Sequence, residues 1–197
     1  MEDTIKNTPV TIYVESNPNP NSMKFVANMM LLPEGEYHDF PTIESAKSSK
    51  LAQELFTFPY VTGVFFMSNF VTVTKDESVD WEEVKMGVRE HIKSYLESGQ
   101  TVVEASATAA SAESEISADD SDTVVKIKNI LEEYICPAVE SDGGAISFHS
   151  YDEGKVKVVL QGSCSGCPSS TVTLKAGIEN LLKRMIPDIQ EVEAING

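Results

Sequence analysis

The chain has 197 residues, of which 41% are hydrophobic, enough for one or two compact domains with ordinary cores. Its formal net charge of −16 argues against nucleic acid as a partner, because such affinity comes largely from Lys and Arg at phosphates. No apolar run approaches the ~20 residues that span a bilayer, so no membrane partner is expected. Residues 1–9 resemble neither a secretory signal nor an Arg-rich transit peptide, so the predicted location is cytoplasmic by default.

Residues 1–96 combine strand and helix patterns and predict a small α+β domain. Helical spacing of apolar residues predicts one helix over 43–56 and another beginning at a capping box, Asp80 to Glu83. Alternating β-prone runs predict strands over 10–14, 23–27, 64–67 and 70–74, the last two joined at Ser68-Asn69. Four aromatic side chains are expected in the core, with partner binding by an exposed part as the alternative: Phe65, Phe66, Phe70 and Trp81.

Residues 97–121 predict a flexible linker, since this stretch is acidic, rich in Ala and Ser, and free of Lys, Arg and aromatic residues. Residues 122–197 predict a second small domain in the order α-β-β-α-β. Its expected elements are a helix over 122–135 ended by Pro137, strands over 145–150 and 155–161, a helix over 171–185 and a strand over 190–195. The predicted fold class is α+β, with two small domains joined by the flexible acidic linker.

Cys164 and Cys167 lie three positions apart where the second of these strands gives way to the long helix. Their Gly and Ser neighbours offer no core in which to bury them, so the thiols are expected to be exposed and not incidental. Thiolates at this spacing can hold one metal centre from a tight turn, and a helix N-terminus favours the negative charge. Zinc and iron–sulfur clusters accept four thiolates, so two further ligands would come from a second copy of the chain.

Two alternatives remain open for this pair of cysteines. The enzymatic one is a thiol–disulfide oxidoreductase, since thioredoxin-like motifs also place CxxC at a helix start. Against it, the strand before Cys164 belongs to a predicted hairpin and not to a βαβ crossover, and only 30 residues follow Cys167. The other alternative is a zinc-bridged dimer with a purely structural site. Three cysteines in all are too few, and odd in number, for a disulfide framework.

Several segments resemble the NifU/Nfu iron–sulfur proteins. The C-terminal domain of that family is similar to ESDGG at 140–144, LQGSCSGCPSST at 160–171 and TLKAGIEN at 173–180. The separate Nfu N-terminal domain is similar to NPNPNSMKF at 17–25, LAQELF at 51–56, GVFF at 63–66 and FVTVTK at 70–75. Only the linker lies outside the resemblance.

The resemblance implies a carrier without enzymatic turnover. Such a protein receives an iron–sulfur cluster, [4Fe–4S] rather than [2Fe–2S], from an upstream assembly scaffold and passes it to apo-proteins. The resemblance also implies that Cys164 and Cys167 are the ligands, paired with their copies in a homodimer. On this interpretation the backbone N–H groups of Ser165 and Gly166 can reach the cluster sulfurs.

Two positions depart from the family pattern. Cys136 stands where a basic residue is usual, and we interpret it as a small buried or half-buried residue in preference to an extra ligand. Ala145 replaces the acid or amide that usually follows the paired glycines. We interpret Asp142-Gly143-Gly144 as structural, because glycines permit a positive φ between helix and strand. The histidines are expected to be ordinary surface or strand residues: His38, His91 and His149.

Overall fold

The first domain is built on a six-stranded sheet, and the computed structural model describes residues 9–104, 110–111, 120–165 and 168–196. The strands are Ile12–Ser16 (β1), Ser22–Ala27 (β2), Glu36–Phe40 (β3), Val61–Met67 (β4), Phe70–Lys75 (β5) and Ala110–Ser111 (β6). They lie in the order β1-β2-β5-β4-β3-β6, with antiparallel neighbours throughout. A 3₁₀ turn over Ser45–Ser48 precedes helix Lys50–Leu55 (α1), and helix Trp81–Glu97 (α2) follows β5.

Side-chain caps fix where the two helices of this domain begin. Ser49 Oγ accepts a hydrogen bond from the Ala52 N–H at α1. The Asp80 carboxylate accepts from the Glu82 N–H at α2, which confirms Asp80 as the residue that caps this helix. The helix α2 then places apolar residues at helical spacing in the core: Val88, Ile92 and Tyr95.

The second domain pairs a three-stranded sheet with three helices. Its helices are Asp122–Ile130 (α3), Cys136–Ser141 (α4) and Pro168–Met185 (α5), and its strands are Gly144–Asp152 (β7), Lys155–Gly162 (β8) and Glu191–Asn196 (β9). Strands β7 and β8 form an antiparallel hairpin that turns at Glu153 and Gly154, both with positive φ. Strand β9 lies parallel to β8 on its other side. The α+β prediction with two domains is therefore confirmed.

Two local predictions in the first domain need correction, and one strand was not predicted. The predicted helix over 43–56 divides into the 3₁₀ turn and α1, because Ser49 between them is extended at φ −136°. Strand β1 begins at Ile12, two residues later than predicted. Strand β3 was not predicted, because polar residues interrupt the alternating apolar pattern of Glu36–Phe40.

The sequence suggested that Pro137 ends a helix, but in the structure it does not. A π-helical turn over Leu131–Ile135 follows α3, and Pro137 then lies in the first turn of α4. Proline is tolerated there because its missing N–H would have no partner inside the helix. The wider π turn absorbs the break, and the chain continues helically to Ser141.

The strand before the cysteines belongs to a crossover as well as to a hairpin. Strands β8 and β9 are parallel, with α5 between them along the chain. Parallel strands in one sheet need such a connection. The argument against a redox pair that relied on the absence of a βαβ crossover is therefore wrong.

The predicted linker over 97–121 begins with residues that contact the first domain. Val102 is 6% exposed and belongs to the core of that domain. Its carbonyl accepts from Ser49 Oγ at 2.6 Å, and the Glu104 N–H donates to the Ser48 carbonyl at 2.8 Å. Residues 105–109 and 112–119 lie outside the described part of the chain, so the linker bounds stay a prediction.

Among the residues that the structure describes, no helix has the length and apolar character needed to span a membrane.

Candidate functional site

The candidate site lies at the junction between β8 and α5. Strand β8 ends at Gly162, whose carbonyl accepts from both the N–H (3.2 Å) and the Oγ (3.0 Å) of Ser165. These bonds close a tight turn that carries Cys164, and α5 begins shortly afterwards at Pro168. Gly166 and Cys167 lie outside the described residues, so the structure places one of the two predicted ligands. The Ser165 N–H donates to the Gly162 carbonyl inside the turn. In this structure it is therefore not directed at a cluster sulfur, contrary to the sequence prediction.

Cys164 is buried, which contradicts the expectation of an exposed thiol. Its exposed fraction is 5%, and it belongs to the apolar core of the second domain. Gly144 across the turn leaves the room for its sulfur: a Cβ there would lie 3.1 Å from Cys164 Sγ and 2.6 Å from the Gln161 carbonyl oxygen. Small neighbours along the sequence therefore do not expose this thiol, because the glycine opposite lets it turn inward.

The paired glycines join two turns of the second domain. Gly143 has φ 82°, as the structural interpretation of Asp142-Gly143-Gly144 requires, and its N–H donates to the Glu140 carbonyl at 2.9 Å. The Gly143 carbonyl accepts from the Ser163 N–H at 3.3 Å, and Ser163 Oγ donates to the Asp142 carbonyl. The turn before β7 thus holds the turn that carries Cys164. Sequence reasoning missed the role of Gly144 at the sulfur, for which the residue type gave no separate signal.

Cys136 is a buried thiol at the start of α4, as we expected. It is 8% exposed, and its Sγ lies 3.8 Å from the Ile146 carbonyl oxygen. Burial, together with the nearby carboxylates of Glu140 and Glu132, raises the pKa of Cys136 to about 11. This thiol therefore stays protonated at neutral pH and is a poor ligand in this state.

The other candidate residues have structural surroundings. His38 stacks on Phe40 in β3, His91 Nε2 lies 3.1 Å from Glu54 Oε2, and exposed His149 contacts Ser150. All four aromatic residues expected in a core are buried: Phe65, Phe66, Phe70 and Trp81. Within the described residues, no group of three or more His, Cys, Asp or Glu could hold a metal ion.

Comparison with family models gives a match in each domain. Residues 12–99 match the Nfu/NifU scaffold protein N-terminal domain, and residues 127–193 match the NifU-like domain. Together these two matches cover both of the domains that the structure contains.

Two relatives are "NFU1 iron-sulfur cluster scaffold homolog, mitochondrial" from Drosophila willistoni and Drosophila persimilis. The first is 42% identical over 184 residues, which cover 93% of this chain and 63% of the relative. The second is 40% identical over 195 residues, which cover 99% of this chain and 68% of the relative. The chain thus spans about two thirds of the length of these relatives. A solution structure of a NifU-like protein from Saccharomyces cerevisiae has a TM-score of 0.46 and 21% identity, covering 54% of this chain and 93% of that chain.

These names also correct the predicted location. The relatives are named mitochondrial, which contradicts the cytoplasmic location expected for this chain. That prediction was a default, drawn only from the composition of residues 1–9.

Proposed function

Since the chain belongs to the NifU/Nfu family of iron–sulfur cluster scaffold proteins, we propose that it carries a cluster on Cys164 and Cys167. The cluster is [4Fe–4S] in preference to [2Fe–2S], and a second copy of the chain supplies the other two thiolates. The carrier receives its cargo from an upstream assembly scaffold and passes it to apo-proteins without enzymatic turnover. We propose that the protein binds and transfers its cluster in mitochondria, following the names of the relatives.

The position of Cys164 is the observation that carries this proposal. Its turn lies between the end of β8 and the start of α5, an 18-residue helix. The N-terminal end of a helix carries partial positive charge, which favours the net negative charge of a thiolate-ligated cluster. Its partner in the motif, Cys167, directly precedes that helix in the sequence.

The composition of the site supports sharing between two chains. A cluster of this kind takes four thiolates, whereas the CxxC motif supplies two. The raised pKa keeps Cys136 protonated at neutral pH, and within the described residues no group of three or more His, Cys, Asp or Glu could hold a metal ion. A two-fold dimer would bring two copies of the same turn together and complete the set.

Anaerobic reconstitution with iron and sulfide tests the proposal. We expect a brown dimer with one cluster per two chains, measured by visible absorption, iron content and mass in solution. Cys164→Ser and Cys167→Ser should each lose the iron. The matched variant Cys136→Ser should keep it, because Cys136 is not a proposed ligand. A colourless chain with all three cysteines intact would contradict the proposal.

The parallel arrangement of β8 and β9 keeps a thiol–disulfide oxidoreductase as the second candidate. A CxxC motif at the start of the helix in a βαβ unit is the arrangement found in thioredoxin-like redox proteins. A metal-free monomer whose Cys164 and Cys167 cycle between dithiol and disulfide would favour this candidate. Tightly held zinc in a colourless dimer would instead indicate a structural site.

A further inference from the structure

The sheet of the first domain is buried on both faces. Along β4, Val64 and Phe66 belong to the core shared with the helices, whereas Phe65 and Met67 belong to a separate cluster. Successive side chains of a strand point to opposite faces, so these two clusters lie on the two sides of the sheet. A nearly continuous apolar strand such as VTGVFFM is typical of burial on both faces.

The second domain covers the outer face of this sheet. Ala145 of β7 is 1% exposed and belongs to the separate cluster, whose other members come from the first domain: Tyr37, Phe65, Met67 and Phe70. A charged side chain at this position would lie among apolar groups, so the small apolar side chain of Ala145 fits a docked arrangement of the two domains.

Polar side chains of the first domain bind the backbone around the Cys164 turn. Asn19 Nδ2 donates to the Ser163 carbonyl at 2.9 Å, and Thr72 Oγ1 donates to the Gly143 carbonyl at 2.7 Å. Lys24 Nζ donates to two carbonyls at the end of α4, those of Glu140 and Ser141, at 3.1 Å each. The acceptors are all main-chain carbonyls, which lie in the two joined turns or at the end of α4 that leads into them, so these bonds fix the positions of the turns.

The two turns approach the sheet as closely as glycine allows. A Cβ on Gly162 would lie 2.9 Å from Cγ of Phe65, and a Cβ on Gly143 would lie 2.7 Å from Thr72 Oγ1. Both glycines have positive φ, 65° and 82°, which other residues rarely adopt. The contact between the domains is thus built into the backbone of the turns that hold Cys164.

We propose that the first domain is a cover that holds the Cys164 turn in its inward-facing form and must detach before the thiol can bind a cluster. In the docked chain, Ser163 is 2% and Cys164 is 5% exposed. A cluster shared between two chains requires each Cys164 to face the other chain. The dependence of cluster binding on detachment rests on the proposed function, whereas the holding of the turn does not.

Thiol labelling of the full chain without metal tests the cover. We compare the wild type with Ala145→Glu, which places a carboxylate in the apolar cluster between the domains. Ala176→Glu is the matched control, because Ala176 is exposed on α5. Iodoacetamide labelling of Cys164 is followed by tandem mass spectrometry, and small-angle X-ray scattering gives the radius of gyration. Circular dichroism checks the fold of each variant.

We expect Ala145→Glu to label at Cys164 about tenfold faster than the wild type and to have a larger radius of gyration. A tenfold shift toward the detached form corresponds to only ~1.4 kcal/mol. Ala176→Glu should behave as the wild type does. Equal labelling of all three chains would overturn the cover, since the burial of Cys164 would then come from its own domain alone.

Thr72→Val is the second variant, and it leaves the packing of the second domain unaltered. It removes one hydroxyl donor to Gly143 and keeps a β-branched residue in β5. The loss of one hydrogen bond predicts about fivefold faster labelling of Cys164. Should Ala145→Glu fail to fold, unchanged labelling of Thr72→Val would overturn the cover by itself.

Reconstitution then separates this inference from the proposed function. Faster uptake of iron and sulfide by Ala145→Glu than by the wild type would support detachment before binding. Equal uptake, despite faster labelling, would overturn that step. A failure of every chain to bind iron would overturn the proposed function, whereas the labelling of Cys164 would still decide whether the cover exists.

Discussion

The two domains differ in what their cores contain. The described core of the first domain holds aliphatic and aromatic residues and no cysteine, and it lies between one face of the sheet and the helices. The core of the second domain includes both described cysteines, Cys136 and Cys164. A thiol that forms part of a core cannot be presented to a second chain without rearranging that core. Under the proposed function, binding of a cluster would therefore rearrange the core of the second domain but not that of the first.

The largest effect should come from the core of the first domain. Phe66 is fully buried, and Phe66→Ala should lower the free energy of unfolding by about 3–5 kcal/mol through lost burial and a cavity. Urea unfolding would measure this loss. Met86→Ala on exposed α2 surface is the control and should change stability by less than ~0.5 kcal/mol.

The same variant tests whether the two cores are independent. The core of the second domain is formed by residues of that domain alone and does not include Phe66. We therefore expect Phe66→Ala to bind as much iron per chain as the wild type in reconstitution at low temperature. Loss of iron binding while the second domain remains folded would show that the cores act as one unit.

The second largest loss of stability should come from replacing Gly144, whose missing side chain leaves space for Cys164. A Cβ on Gly144 would lie 2.6 Å from the Gln161 carbonyl oxygen, so Gly144→Ala must displace backbone. We expect a loss of about 1–3 kcal/mol in urea unfolding, together with a lower iron content after reconstitution. Gly177→Ala is the matched control, since a Cβ there meets nothing within 4 Å. Gly177→Ala should raise the free energy of unfolding by about 0.5–1 kcal/mol, because it replaces a glycine inside α5. A similar gain for Gly144→Ala would contradict the close contact with the Gln161 carbonyl oxygen.

The elements that the sequence predicted well are those whose burial is local. Helix α2 follows from its Asp80 cap and from apolar spacing, and the β7–β8 hairpin follows from Glu153-Gly154. Strand β3 could not be predicted in this way. Its Tyr37 is buried in the cluster that includes Ala145 of the other domain, and such long-range contacts leave no pattern in a short window.

The candidate site was predictable in position but not in exposure. The change from strand to helix pattern placed Cys164 in a turn between β8 and α5 correctly. Its burial depends on Gly144, which is distant along the chain, and on a turn held by hydrogen bonds from the other domain. Neighbouring Gly and Ser residues carry no information about either contact.

A smaller effect should come from Asp39, a carboxylate between the domains. It accepts from the Gly162 N–H, yet burial raises the pKa of Asp39 from 3.8 to about 6. Asp39 lies beside a hollow whose described lining includes no other charged side chain. The raised pKa means that the folded chain favours the protonated form of Asp39. Asp39 therefore stabilises the fold most below pH ~4, and this contribution is lost as the pH rises through about 6.

Asp39→Asn removes the cost of burying an ionised carboxylate and should raise the free energy of unfolding by about 1–2 kcal/mol at pH 8. The gain should be smaller at pH 5, where wild-type Asp39 is mostly protonated, and urea unfolding at both values would measure it. Asp76→Asn is the control. Hydrogen bonds from Ser78 lower the pKa of Asp76, so Asp76→Asn should give no gain in the free energy of unfolding. An equal gain from Asp39→Asn at both pH values would contradict the assignment.

The smallest change in stability should come from replacing Cys136. Cys136 and Cys164 are both buried in the core of the second domain, but only Cys164 is a proposed ligand. Cys136→Ala removes one buried sulfur and should cost about 1 kcal/mol, near the value of a buried methylene. It should leave the iron content after reconstitution and the labelling rate of Cys164 unchanged. A loss of iron would make Cys136 a ligand despite its high pKa, and faster labelling of Cys164 would show that Cys136 helps to hold Cys164 inward.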